Sequence, residues 1–131
     1  DPETQVLIPR LQTPLATLLY KAATDNLDDV VLHWSDESAV TVVVASEGYP
    51  DAPKVGTSIE LPQQSATTIY HAGTSLQGGE LVSSGGRALT VSALGKSLAE
   101  AREKVYHVLP QITFKNSFYR SDIALEASEG K

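Results

Sequence analysis

The run Ala39-Val40-Thr41-Val42-Val43-Val44-Ala45 constrains this chain more than any other stretch. Its β-branched residues favour an extended backbone. Side chains alternate between the two sides of a strand, so both faces of this one are apolar apart from Thr41. A strand of that kind is stable when both faces are covered, which places it inside the domain with a layer on each side.

The flanking pattern is mixed. Val30 to Trp34 is a second β-branched run, and Ser35-Asp36-Glu37-Ser38 between the two is a polar turn, so the pattern predicts a hairpin. Glu47 to Gly56 contains Gly48, Pro50, Pro53 and Gly56, which breaks regular structure into a loop. Further strands are expected at Ser58 to Leu61, Thr67 to Ala72, Glu80 to Ser83 and Arg87 to Leu94, with Gln77-Gly78-Gly79 turning one hairpin. Gly85-Gly86 interrupts the sheet, where glycine permits positive φ, a bulge, or close approach of another backbone.

Helices lie on either side of these strands. At the start, Asp1 reads as an N-cap with Pro2 at the first helical position, and Val6, Leu7, Ile8 and Leu11 give apolar spacing that Pro9 kinks or ends. Thr13 reads as the next N-cap, followed by Pro14 and a stripe of Leu15, Leu18, Leu19 and Ala22 reaching about Asn26. Ser97-Leu98-Ala99-Glu100 is a capping box for a helix to about Leu109 that buries Leu98, Ala101, Val105 and Leu109. Ile112 to Phe114 and Tyr119 to Ala124 read as the last strands, with Ser128 to Lys131 frayed.

At 131 residues and 41% apolar content, the chain can bury one core. A net charge of −6 opposes unaided binding to nucleic acid or an anionic membrane, so any phosphate site must be local. There is no cysteine, which excludes disulfides and thiolate metal sites, and no apolar run is long enough to span a bilayer. Methionine is absent and the chain opens directly on a helix-entry signal, so it is expected to be a portion of a longer protein.

Self-contained catalytic motifs are missing: there is no G-x-S-x-G, no H-E-x-x-H and no G-x-x-x-x-G-K-[ST]. His33, expected in a strand, His71, and His107, expected in a helix, have no metal-ligand spacing. Asp1 and Glu3 put two carboxylates at a helix start, where capping and dipole complementarity account for them as well as ligand binding would. Gly85-Gly86-Arg87 has two readings. One is a bulge followed by an exposed arginine. The other is an anion site in which backbone amides and a guanidinium fork hold a phosphate.

The pieces Asp1-Pro2-Glu3-Thr4-Gln5, Ala45-Ser46-Glu47-Gly48-Tyr49-Pro50, His71-Ala72-Gly73-Thr74, Ser84-Gly85-Gly86-Arg87 and Ala93-Leu94-Gly95 are weak singly. In this order, with Phe114, Tyr119-Arg120 and Asp122-Ile123 near the end, the chain resembles the carboxy-terminal portion of the phosphoribosylamine–glycine ligase family over nearly its whole length. The resemblance implies an α+β fold. Residues 27–131 would form the small β-rich carboxy-terminal domain of an ATP-grasp ligase, antiparallel strands with one packed helix, and residues 1–26 the helices that end the ATP-grasp domain.

It also implies the reaction: ATP activates glycine as an acyl phosphate, and the amine of 5-phosphoribosylamine attacks it to give glycinamide ribonucleotide, ADP and phosphate, in the cytoplasm. ATP with Mg2+ or Mn2+ would serve the full-length enzyme, and none is expected on this portion, because the family's metal-binding glutamate and asparagine precede the D-P-E-T-Q motif. Partners would be glycine, 5-phosphoribosylamine and the rest of the ATP-grasp chain, without nucleic acid or membrane. Asp1 and Glu3 become candidates for the glycine ammonium, and Gly85, Gly86 and Arg87 for the phosphate of phosphoribosylamine; the portion alone is expected to be inactive. The alternatives are the terminal domain of a related ATP-grasp carboxylase or formyl-transferring ligase, and a free-standing β-rich binding module. A biotinyl or lipoyl carrier would present a lysine on a hairpin tip, and none occurs between Lys54 and Lys96. A dimerisation domain associating through Leu7, Leu11, Leu15 and Leu18 is the remaining possibility.

Overall fold

The computed structural model of the chain describes residues 2–63 and 67–130. Its centre is strand β6, Arg87–Gly95, in a three-stranded antiparallel sheet ordered β1-β6-β3. β1 is Ser38–Ala45, the strand that the apolar run predicts, and β3 is Thr68–His71. The register pairs Val40 with Ala93, Val42 with Val91 and Val44 with Leu89, so these six side chains share one face. That face packs under helix α3, Leu98–Val108, whose Ala101, Val105 and Val108 join the buried cluster with Leu109.

The opposite face carries Thr41, Val43, Thr90 and Ser92 and receives the first helix, α1, Thr4–Leu7. The hydroxyls of Thr41 and Ser92 share a hydrogen bond at 2.6 Å, and each oxygen lies 3.2 Å from the carbonyl oxygen of Gln5, which accepts from the one whose proton is not used between them. β1 is therefore covered on both faces, as its composition demands, although it stands at an edge of its sheet.

The expected hairpin between Val30–Trp34 and β1 does not form. Residues 30–34 are extended but serve the connection between the first two helices: the His33 carbonyl accepts from Gln12 N and Thr13 N, Ser35 N donates to Arg10, and Trp34 bridges Leu11. Strand propensity was satisfied by a different partner, and Val31 stays 68% exposed. His33 thus lies outside any strand, contrary to expectation.

The same contact explains a second correction. Thr13 does not cap helix α2, Leu15–Ala23, because its hydroxyl accepts from His33 N at 2.8 Å, and Pro14 takes the N-cap position without a side-chain bond. α1 ends at Leu7 and passes into a 3-10 turn over Ile8–Arg10 that contains Pro9, the interruption expected there. Glu3 occupies its N-cap position; the capping expected of Asp1 falls outside the described residues.

Two small ladders complete the sheet structure. β2, Ile59–Glu60, pairs with β7, Thr113–Phe114; β4, Thr74–Gln77, pairs with β5, Glu80–Ser83, across Gly78-Gly79. Both turn glycines have positive φ, +59° and +89°, which selects glycine over any residue with a Cβ. Tyr119 to Ala124 is not a strand. Arg120 pairs with Asp122, Ala124 sits at φ 58°, and Arg102 and Tyr106 of α3 bind this segment's carbonyls, so its backbone is held by side chains instead of a ladder. A last helix, α4, Leu125–Ser128, takes in Ser128, which was expected to fray; Lys131 lies outside the described residues.

The expected capping box forms with its return bond one residue before the cap. Ser97 Oγ accepts from Glu100 N at 3.2 Å, and the Glu100 carboxylate accepts from Lys104 Nζ at 2.7 Å and from the Lys96 backbone N at 3.0 Å. The Lys104 bond first, then the Lys96 bond, hold the carboxyl below its ordinary value of 4.5. A depressed carboxylate stabilises the fold above its unfolded value and loses that effect as pH falls through its folded value. The stability difference between the parent and Glu100→Gln, followed by urea unfolding, is therefore expected at pH 7 and expected to shrink as pH falls below the ordinary value of 4.5. An equal difference above and below that value would contradict this role.

Candidate functional site

Three loop motifs meet at one end of the central sheet. Ser46, fully buried after β1, donates from its hydroxyl to the Gly85 carbonyl and from its amide to the Gly86 carbonyl, both at 2.8 Å. Gly73 N donates to the Arg87 carbonyl and accepts from Ser84 N at its own carbonyl, again at 2.8 Å. The S-E-G-Y-P, H-A-G-T and S-G-G-R segments are thus hydrogen-bonded into one unit.

The glycines are there for close approach. A Cβ on Gly73 would stand 2.9 Å from the Gly85 Cα and the Arg87 carbonyl, and one on Gly86 would run into the ring of Tyr49. Neither Gly85 nor Gly86 has positive φ. A register shift between Val44 and Ala45 supplies the bulge, leaving Ala88 outside the pairing between Leu89 and Arg87.

Tyr49 is held in place through its loop. Glu47 accepts from Lys54 Nζ and from Asn116 Nδ2, each at 2.7 Å, and Lys54 N donates to the Glu47 carbonyl. Lys54 chiefly, then Asn116, pull the Glu47 carboxyl below its ordinary range. Ala45 and Phe118 exchange backbone bonds beside it, so the loop is tied to the segment after β7. The Tyr49-Pro50 peptide is cis.

These contacts enclose a cleft of about 320 Å³ lined by Gln5, Val43, Tyr49, Gly86, Arg87 and Thr90, among others. Arg87 is its only charged lining residue among the described residues. A guanidinium lining a small cleft is chemically suited to an anionic ligand. Of the residues singled out in the sequence, Gly86 and Arg87 line this cleft, and Gly85 stands behind it with its carbonyl bound to Ser46. Glu3 lines an adjoining groove of about 280 Å³ that shares Pro2 and Val43. Asp1 lies outside the described residues.

Sequence reasoning did not single out Gln5, Thr90 or Glu47. Gln5 and Thr90 reach the site only through the pairing of sheet faces, and Glu47 through a partner 69 residues away; no local spacing signals either.

Among the described residues, no group of three or more His, Cys, Asp or Glu side chains could hold a metal ion. His71 Nδ1 lies 3.0 Å from Thr74 Oγ1 across a tight turn, but the histidine is exposed and no described acidic group orients the ring. The described residues therefore do not fit a magnesium centre. No described helix is long and apolar enough to cross a membrane.

Residues 39–126 match the family model described as phosphoribosylglycinamide synthetase, C domain. Curated relatives named phosphoribosylamine–glycine ligase include those of Rhizobium meliloti (strain 1021), 48% identical over 97% of this chain, and Streptomyces coelicolor, 50% identical over 98%. The chain spans 30% and 32% of the length of these relatives. The crystal structure of phosphoribosylamine–glycine ligase from Thermotoga maritima superimposes with a TM-score of 0.83 at 34% identity, covering 95% of this chain and 31% of that one.

Proposed function

This chain belongs to the family of the phosphoribosylglycinamide synthetase C domain, and on that premise we propose that it works as the carboxy-terminal portion of a ligase that joins glycine to 5-phosphoribosylamine with ATP. An amide bond forms between the glycine carboxyl carbon and the amine of phosphoribosylamine, and ATP becomes ADP and phosphate. The product is glycinamide ribonucleotide, an intermediate of purine synthesis, and the reading implies a cytoplasmic enzyme. ATP, with Mg2+ or Mn2+, supplies the phosphoryl transfer, and the described residues do not fit the metal.

In this reading residues 1–26 end the ATP-grasp domain and residues 27–131 form the terminal domain. The observation that carries the assignment is the convergence of three loop motifs on one cleft with Arg87 as its cation. Arg87, with Gly85 and Gly86, takes the phosphate of phosphoribosylamine. Asp1 and Glu3 take the glycine side. Catalysis of this kind rests on positioning and on neutralising charge, and the chain by itself holds only one wall of the site and is inactive alone.

Steady-state kinetics of the full-length protein test the assignment. A hydrogen-bonded charge pair contributes about 1.5–3 kcal/mol, so Arg87→Ala is expected to raise KM for phosphoribosylamine about 10- to 100-fold and leave KM for glycine unchanged, with Glu3→Ala doing the reverse. An Arg87→Ala enzyme with unchanged phosphoribosylamine dependence would refute the phosphate role.

A further inference from the structure

The loop that carries Tyr49 owes its shape to polar contacts more than to burial. Ser46 is the only buried residue of the segment 46–54, and Gly48, Pro50, Asp51, Ala52 and Lys54 are exposed. Inside the loop, Tyr49 N donates to the Ser46 carbonyl at 3.2 Å, and Ala52 N to Gly48 and Lys54 N to Glu47 at 2.8 Å. Gly48 has φ 84°, and a Cβ there would run into the Ala52 carbonyl oxygen, so this tight closure requires glycine. Residues 46–54 therefore hold together as one body. Whatever fixes that body also fixes Tyr49, whose ring lies against Gly86 beside Arg87.

The body is fastened in two places. Ser46 ties its base to Gly85 and Gly86. Glu47 ties its flank to Asn116: one carboxylate oxygen accepts from Asn116 Nδ2 and the other from Lys54 Nζ, each at 2.7 Å. Asn116 is itself held, because it follows the buried Phe114 in a turn closed by Ser117 N and Oγ, which donate to the Phe114 carbonyl at 3.2 and 2.8 Å. It sits at φ 57°, a conformation that asparagine tolerates, and its side-chain amide supplies the donor that a carboxylate needs. Neither Glu47 nor Asn116 lines the cleft.

We infer that Glu47 and Asn116 form a clamp that positions Tyr49 against Gly86 and Arg87, so that affinity for phosphoribosylamine depends on a contact outside the cleft. The inference rests on the anion role proposed for Arg87 and adds two positioning residues that do not touch the ligand.

Hydrogen exchange and steady-state kinetics of the same full-length variants test it. Glu47→Ala removes the clamp, and Asn116→Asp keeps a residue that accepts the left-handed backbone but sets two carboxylates against each other. Both are expected to speed exchange at the Ala52 and Lys54 amides about three- to tenfold. Both are also expected to raise KM for phosphoribosylamine about three- to tenfold, with kcat and KM for glycine changing less than about twofold. The double variant Glu47→Gln with Asn116→Asp restores the bond with donor and acceptor exchanged, and should return both readouts to within about twofold of the parent.

Exchange at the parent rate in Glu47→Ala, or a double variant no better than Asn116→Asp alone, overturns the clamp. Faster exchange with an unchanged KM for phosphoribosylamine, where Arg87→Ala does raise that KM, overturns the positioning role and leaves the anion site standing. If Arg87→Ala has no effect either, the reading of the cleft falls and takes this inference with it.

Discussion

Replacing Gly95 with alanine is expected to lower the stability of the chain by about 2–3 kcal/mol, near the upper end for overpacking a filled site. Gly95 is the last residue of β6, where the chain turns through Ser97 into α3 and folds back over the strand it has just left. A Cβ there would sit 2.5 Å from the amide nitrogen of Ala101 and 3.0 Å from its Cα, and Ala101 is fully buried. Both obstructing atoms are backbone, so no side-chain rotation relieves the contact and the helix must lift from the sheet. Urea unfolding would show a lower midpoint at an unchanged slope. Ala101→Gly should not rescue the variant, because the backbone nitrogen stays where it is. A loss below about 0.5 kcal/mol would mean that the helix is less closely seated than the contact indicates.

That contact also marks the limit of what the sequence shows. Both partners stand out separately: the Ser97 to Glu100 capping box starts a helix, and the Ala93-Leu94-Gly95 motif ends a strand. The two-faced apolar run likewise announces β1, because a strand with Val on both sides has to be covered twice. These features are legible because each is decided by residues within a turn or a strand of one another.

The failures share a cause as well. Val30–Trp34 has the composition of a strand, but Thr13 and Gln12 claimed its hydrogen bonds, and a choice between partners cannot be read from propensity. Thr74–Gln77 was missed as a strand for the opposite reason. Its Leu76 is 73% exposed and its neighbours are polar, so only the turn beyond it, not its own residues, announces the ladder. At the site, the glycines and Arg87 suggested an anion contact, yet Gln5, Tyr49 and Thr90 line the same cleft. These positions are scattered along the chain and are brought together only by sheet register and packing.

Leu89→Ala is expected to carry the largest penalty of all, about 3–4 kcal/mol. Leu89 is fully buried in the middle of the central strand, opposite Val44 on one side and His71 on the other, and belongs to the cluster roofed by Val105 and Val108. Truncating a buried leucine loses its transfer free energy and leaves a cavity whose lining can only partly collapse, which together cost about 2–5 kcal/mol. The upper part of that range applies here because the strand is hydrogen-bonded on both edges and cannot shift toward the void without breaking a ladder. The same strand carries Arg87 and Thr90 into the cleft, so relaxation around the cavity should also quicken hydrogen exchange at the amides of β6 and β1 before that of α3's outer face. Leu76→Ala, on the exposed hairpin, should cost less than about 0.5 kcal/mol by the same measurement. Comparable losses at the two positions would show that the β1-β6-α3 cluster is not where the stability of this chain resides.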